Sequence, residues 1–228
     1  MRVVALLSGG KDSVCAVEVA QGHGWDIVGA LVLRPAADDA WMFHTPALDV
    51  VAGVAQCLGL PLLEAKVRSG QEEEVADLEA ALATAQAKWK LDGIISGALA
   101  SEYQRTRIEA VGHRLGLKTF TPLWHKDPRT YLQRLLQPGW DIRFSRTAAD
   151  GVPNAWCGQA LDAPKVEAML RHKARPHIAG EGGEYETLVL DAPHYKRRLV
   201  IDDAAVEATA SRATWAVRTW RTEAKLSP

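Results

Sequence analysis

The stretch "ALLSGGKDSVCA", residues 5–16, runs from an apolar strand directly into Ser8-Gly9-Gly10-Lys11-Asp12-Ser13. Arg2 to Leu7 has no polar residue after its first and predicts a buried parallel strand; Val14, Val17 and Ala20 then recur at helical spacing. The glycine pair therefore sits where a strand hands over to a helix. There the free N–H groups of the first helical turn, added to the helix dipole, make a ready anion site. Glycine lets the backbone approach the anion, Lys11 brings a positive charge, and the hydroxyls of Ser8 and Ser13 can donate to phosphate oxygens. A plain turn with Ser or Asp as N-cap is the competing reading. Two hydroxyls, two glycines, an ammonium and a carboxylate within six residues exceed what a cap requires.

The rest of the chain bounds the function classes. Its 228 residues can bury a real core, and 47% hydrophobic and 24% charged residues with a net charge of −1 describe a globular enzyme rather than a disordered tail. With no basic excess, sequence-independent nucleic-acid binding has little electrostatic support, and the run His194 to Arg198 is expected to be a solvated strand end. Three cysteines, odd in number and without a CxxC, suggest neither a disulfide framework nor a thiolate zinc site. Cys15 and Cys57 lie in apolar helical surroundings and are expected in the core, whereas Cys157 is left open. No leader-like segment precedes the first strand and no apolar run reaches about eighteen residues, so a soluble, cytoplasmic protein is expected. The eight tryptophans are read mainly as core, with a homo-oligomeric interface as the alternative.

Strand and helix alternate through the first half. Strands are predicted at 26–33, 61–67, 92–99 and 118–121, and helices from Thr45-Pro46 to Gly59, over 71–89 and over 101–115. Glu72, Glu73 and Glu74 in the first turn of the 71–89 helix read as a dipole-matched solvent face. Such alternation predicts right-handed βαβ units and an α/β fold, a parallel five-stranded Rossmann-like sheet with helices on both faces. Ligands then bind beyond the carboxyl ends of the strands. From Asp127 the pattern changes to short helices, strands from Asp141 and Thr187, and a hairpin over 199–224. Two domains are predicted: 1–126, binding a nucleotide, and 127–228, a smaller α+β domain.

Three further constellations carry chemistry. In "HIAGEGGEYETLVLDAP", residues 177–193, Glu181, Glu184 and Glu186 crowd a glycine pair just before an apolar strand. A Gly-Gly turn with carboxylates facing water is the favoured reading on pattern alone, and a cation, ammonium or basic-group site is the sharper alternative. Ser101, Tyr103, Gln104, Arg105 and Arg107 open a helix behind the fourth strand, where one of the two arginines can hold phosphate or both simply solvate the surface. His44 precedes a helix at the ligand edge, although a single histidine is more often structural.

SGGKDS at 8–13 is not a Walker A sequence; it resembles the SGGxDS pyrophosphate loop of PP-loop ATPases, which implies a HUP-type sheet and cleavage of ATP between the α and β phosphates. Together with MFH at 42–44, SGALASEYQRTRIE at 96–109, PLWHKD at 122–127 and GEGGEYETLVLDAP at 180–193, the order and spacing resemble the diphthine–ammonia ligase family over nearly the whole chain. Trp156-Cys157-Gly158-Gln159 departs from the Trp-Leu-Gly-Arg or -Lys of that family. The resemblance implies ATP-dependent amidation of diphthine on a translation elongation factor, with ATP, Mg²⁺ and ammonium required and no membrane partner. It implies that Ser8, Gly9, Gly10, Lys11, Asp12 and Ser13 hold the ATP phosphates, Asp12 also contacting the metal. It further implies that His44, Gly97, Ser101, Tyr103, Gln104 and Arg107 line the nucleotide, and that Glu181, Glu184 and Glu186 serve the acceptor or ammonia side. A PP-loop enzyme adenylating another, small carboxylate, and a non-catalytic nucleotide sensor, are the alternatives; pyrophosphate release separates the last from either enzyme.

Overall fold

A computed structural model describes residues 1–35, 48–68 and 70–225. His44 and the expected helix start at Thr45-Pro46 lie outside them. The chain clusters into two compact units: Met1–Ser8, Asp12–Val51 and Leu60–His125 form one, and Gly9–Lys11, Ala52–Gly59 and Lys126–Pro228 the other. No described helix is long and apolar enough to cross a membrane.

The first unit contains β1 (Arg2–Leu6), β2 (Asp26–Pro35), β3 (Leu62–Val67), β4 (Gly93–Ile95) and β5 (Lys118–Phe120), hydrogen-bonded in the order β3-β2-β1-β4-β5. All four pairings are parallel, as the alternation of strands and helices demands. Successive side chains of β1 and β4 point to opposite faces and feed two cores. Val3 and Ile95 join Ala16 and Ala20 of α1 (Lys11–Gly22), while Val4 and Ile94 join α3 (Gln71–Trp89) and α4 (Glu102–Arg114). Both faces of the sheet are thus covered. Gly29 sets the approach of α3: a Cβ there would lie 2.5 Å from the Trp89 ring.

Two expectations change here. Glu74 is fully buried, not part of a solvent face. The fourth strand has only three paired residues, which leaves 96–101 free to form the loop that leads into α4.

The second unit is an antiparallel sheet, order β7-β6-β9-β8, of β6 (Asp141–Thr147), β7 (Tyr185–Asp191), β8 (Arg197–Ala208) and β9 (Ala213–Ala224). Asp127 and Asp162 cap α5 (Pro128–Leu135) and α6 (Ala163–Arg171), each accepting a backbone N–H at 2.9 Å and each followed by a proline in the first turn. The last turns of α2 (Leu48–Leu58) pack on the hairpin, where a Cβ at Gly53 would lie 2.6 Å from Leu199 and 2.9 Å from the Trp220 ring. Of the 194–198 run, Lys196, Arg197 and Arg198 are exposed as expected, but Tyr195 is buried and His194 half-buried. All three cysteines are buried, and burial pushes the thiols of Cys57 and Cys157 up to about 12 and about 11. The core reading of the tryptophans also needs correction: among the described residues only Trp89 counts as buried, and the others are half-buried.

Candidate functional site

In the first unit the carboxyl end of β1 delivers Ser8, and the first turn of α1 begins a few residues on. Ser8 donates twice to the Ser13 hydroxyl, from its N–H at 3.2 Å and its Oγ at 3.1 Å, closing a loop around the helix start. Asp12 occupies the first turn of α1, half-buried. Gly97, behind β4, presses against the same turn. A Cβ there would lie 2.7 Å from both the Asp12 carbonyl carbon and the Ser13 nitrogen, so no larger residue fits without backbone movement. Ser8, Asp12, Ser13 and Gly97 therefore lie together at the start of α1.

Ser101, Tyr103, Gln104 and Arg107 lie at the start of α4, behind the strand adjacent to β1, which places them along the same carboxyl edge of the sheet. Their local geometry explains part of their identity. Ser101 is the N-cap of α4 and accepts the Gln104 N–H at 3.3 Å, an arrangement worth about 1 kcal/mol to the helix. The Arg107 guanidinium lies 3.4 Å from the Tyr103 ring centroid and donates to the Tyr103 carbonyl at 3.3 Å. Stacked in this way, it is a planar cation held in place.

In the second unit Gly9, Gly10 and Lys11 lie against β7. Gly9 has φ +79, a value that glycine adopts without strain. Its carbonyl accepts the Val189 N–H at 3.0 Å, and the Lys11 N–H donates to Thr187 Oγ1 at 3.0 Å. Lys11 is only 3% exposed, and its ammonium lies 5.2 Å from the Tyr185 ring centroid. Burying a lysine is costly unless its charge is paired or hydrogen-bonded.

The three glutamates do not share one role. Glu184 braces the turn, with its two carboxylate oxygens accepting the N–H groups of His177 at 2.9 Å and Gly182 at 2.8 Å. Glu181 is half-buried and donates its N–H to His177 Nδ1 at 3.4 Å. Glu186 faces Arg146 across β6 and β7, 3.9 Å away. Burial pushes its carboxyl up to about 7, against the opposing pull of Arg146 and Lys11.

Sequence reasoning missed Tyr185, Thr187 and Arg146. The alternation Tyr185-x-Thr187-x-Val189, with a hydroxyl in an apolar strand, was a signal for the first two. Arg146 offered none, because its partner is set by non-local strand register. A separate open cavity of about 400 Å³, lined by Trp140, Asp141, Leu190, Asp191 and Arg198 among others, holds none of the expected site residues. Its two aspartates are already paired, Asp141 with Arg143 and Asp191 with Lys225.

Among the described residues no group of three or more His, Cys, Asp or Glu could hold a metal. A single protein carboxylate suits a Mg²⁺ that arrives on phosphates and keeps its own waters, not a resident ion.

Comparison with known proteins places these features in context. Residues 1–119 match the family model for the diphthamide synthase N-terminal domain, and residues 127–221 that for the diphthamide synthase C-terminal domain. A curated diphthine–ammonia ligase of Bos taurus is 33% identical over 226 residues, spanning 90% of this chain and 85% of the relative. One from Danio rerio is 34% identical over 221 residues, spanning 89% and 87%. A solved structure, described as a predicted subunit of tRNA methyltransferase from Methanocaldococcus jannaschii, aligns with a TM-score of 0.43 at 15% identity, covering 83% of this chain and 96% of that one.

Proposed function

The chain belongs to the diphthamide synthase family, and from that premise we propose that it is an ATP-dependent ligase that amidates diphthine by way of an acyl-adenylate. The carboxylate of diphthine, carried on a translation elongation factor, attacks the α-phosphorus of ATP, and the bond to the bridging oxygen of pyrophosphate breaks. Ammonium first loses one proton to a base; the ammonia formed adds to the acyl carbon of the mixed anhydride, AMP leaves, and the adduct's excess proton passes to solvent. Amide formation from a free carboxylate is uphill, and the adenylate is what makes AMP a good leaving group.

In the first step negative charge grows on the departing pyrophosphate. In this reading the Lys11 ammonium meets it, together with the N–H groups around the start of α1 and the hydroxyls of Ser8 and Ser13. Removing one such preorganised donor costs about 3 kcal/mol at the transition state. Bound Mg²⁺ supplies charge neutralisation on the phosphates, with Asp12 as its protein contact. Residues 1–126 are the nucleotide-binding domain in this reading, with Gly97, Ser101, Tyr103, Gln104, Arg107 and His44 as further nucleotide contacts. Residues 127–228 serve the acceptor, and the work is done in the cytoplasm beside translation.

For the second step, Glu186 is the residue suited to hold ammonium and take its proton, because burial pushes its carboxyl up to about 7. Glu181 and Glu184 shape the turn that precedes it. The observation that carries the reading is the buried Lys11 at the mouth of a strand-to-helix turn, with an ionisable carboxyl on the strand that flanks it. The test is product analysis with ATP, a diphthine-bearing factor and ammonium. Ammonium-dependent AMP and pyrophosphate are expected, and ADP with inorganic phosphate would refute the adenylate.

A further inference from the structure

The resemblance gives the 180–193 segment to the acceptor, yet its strand also contacts residues 9–11 of the phosphate loop. β7 is an edge strand of its sheet, and its residues 185, 187 and 189 each meet the chain at 9–11. The Val189 N–H donates to the Gly9 carbonyl as an extra strand would. The Thr187 hydroxyl accepts the Lys11 N–H, and the Tyr185 ring lies under the Lys11 ammonium. The Tyr185 ring is itself fixed, its hydroxyl donating to the Ile178 carbonyl at 2.6 Å and its edge meeting Phe144 at a centroid distance of 5.0 Å.

These contacts have a chemical consequence. Lys11 is the first residue of α1, and an N–H at that point ordinarily has no partner within its helix. Here it is engaged by a side chain, which fixes the peptide plane between Gly10 and Lys11 and with it the direction in which neighbouring N–H groups point. The ammonium meanwhile lies over an aromatic face, a cation–π contact that favours one position for the side chain.

We propose that Thr187 and Tyr185 are positioning residues for the phosphate loop: Thr187 orients the Gly10–Lys11 peptide and the Tyr185 ring sets the position of the Lys11 side chain. The strand that carries Glu186 thereby sets the geometry of the loop that grips ATP. This inference rests on the proposed role of Lys11 toward the ATP phosphates, and its test reads ATP affinity separately from product identity.

Thr187→Val keeps the shape of the side chain and removes the acceptor, whereas Thr187→Ser keeps the acceptor. Calorimetry should give an ATP Kd raised about tenfold in Thr187→Val, as loss of one hydrogen bond to a ligand-holding loop implies, and restored to within about twofold in Thr187→Ser. Tyr185→Phe should bind ATP like the parent, because the ring is retained, while Tyr185→Leu should not. Equal ATP affinity in parent and Thr187→Val, or failure of Thr187→Ser to rescue, overturns the proposal. Amide hydrogen exchange on the unaltered protein covers the case in which Thr187→Val does not fold: the Lys11 N–H should be protected without nucleotide, and exchange at the free-peptide rate overturns the proposal. A parent protein that binds ATP but yields ADP refutes the adenylate alone and leaves the positioning test intact.

Discussion

Arg146 and Glu186 stand opposite one another on β6 and β7 with Nη1 and Oε1 3.9 Å apart, an ion pair too long for a direct hydrogen bond. The guanidinium attracts the carboxylate without satisfying it, so burial dominates and the carboxyl rises to about 7 from an ordinary value of 4.5. A carboxyl whose folded value is raised favours folding when protonated and loses that advantage as pH climbs from 4.5 through 7.

Glu186→Gln should therefore raise the stability of the protein at about pH 8 by at most about 3 kcal/mol and leave it unchanged below about pH 4. The same variant should lose most ammonium-dependent turnover while still releasing pyrophosphate. Urea unfolding at both pH values and a pyrophosphate assay check the two halves. A variant less stable at alkaline pH would contradict the burial argument.

Gly97 has no room for a side chain, its would-be Cβ lying 2.7 Å from the backbone at Asp12 and Ser13. Gly97→Ala should cost about 1–3 kcal/mol and weaken ATP binding, because the backbone that must yield is the start of α1. Thermal unfolding and nucleotide titration test this together. Gly116→Ala, where no atom lies within 4 Å of the added Cβ but φ is +67, should cost stability through backbone strain without touching ATP affinity.

Both ring nitrogens of His194 are buried with no hydrogen-bond partner, beside the rings of Trp140 at 5.8 Å and Tyr195 at 5.5 Å. Burial, with Lys225 and Arg134 nearby, lowers its pKa to about 4 from 6.5. The stability this neutral ring provides is present above 6.5 and is lost as pH falls through 4. His194→Phe should match or exceed the parent at neutral pH and resist acid better, visible as a smaller drop in Tm between about pH 7 and pH 4.

Local signals in the chain carried most of the architecture. The apolar run of 2–7, the cap at Ser101 and the prolines at 128 and 164 each act within a few residues, and the helices and parallel strands follow from them. Long-range pairing was the part that could not be read. Nothing near Glu74 announces that it is buried, nothing near Arg146 announces its partner, and Thr187 contacts Lys11 across 176 positions of sequence. The tryptophans misled for a related reason, since large amphipathic rings settle half in and half out of a core, and their composition alone does not say which half. In the site, the loop 8–13 and Gly97 were legible because glycines and hydroxyls at a strand end have few other uses. The division of labour among Glu181, Glu184 and Glu186 was not, because it is set by which backbone N–H groups and which strand each one meets.

The most direct measurement is a crystal structure with an ATP analogue whose α,β bridge cannot be cleaved. The β and γ phosphates should lie against the N–H groups of residues 8–13 with the Lys11 ammonium in contact, and the α-phosphorus should be open to an incoming carboxylate. A nucleotide bound elsewhere with that loop vacant, or one turned so that the γ-phosphate faces the acceptor, would contradict the account.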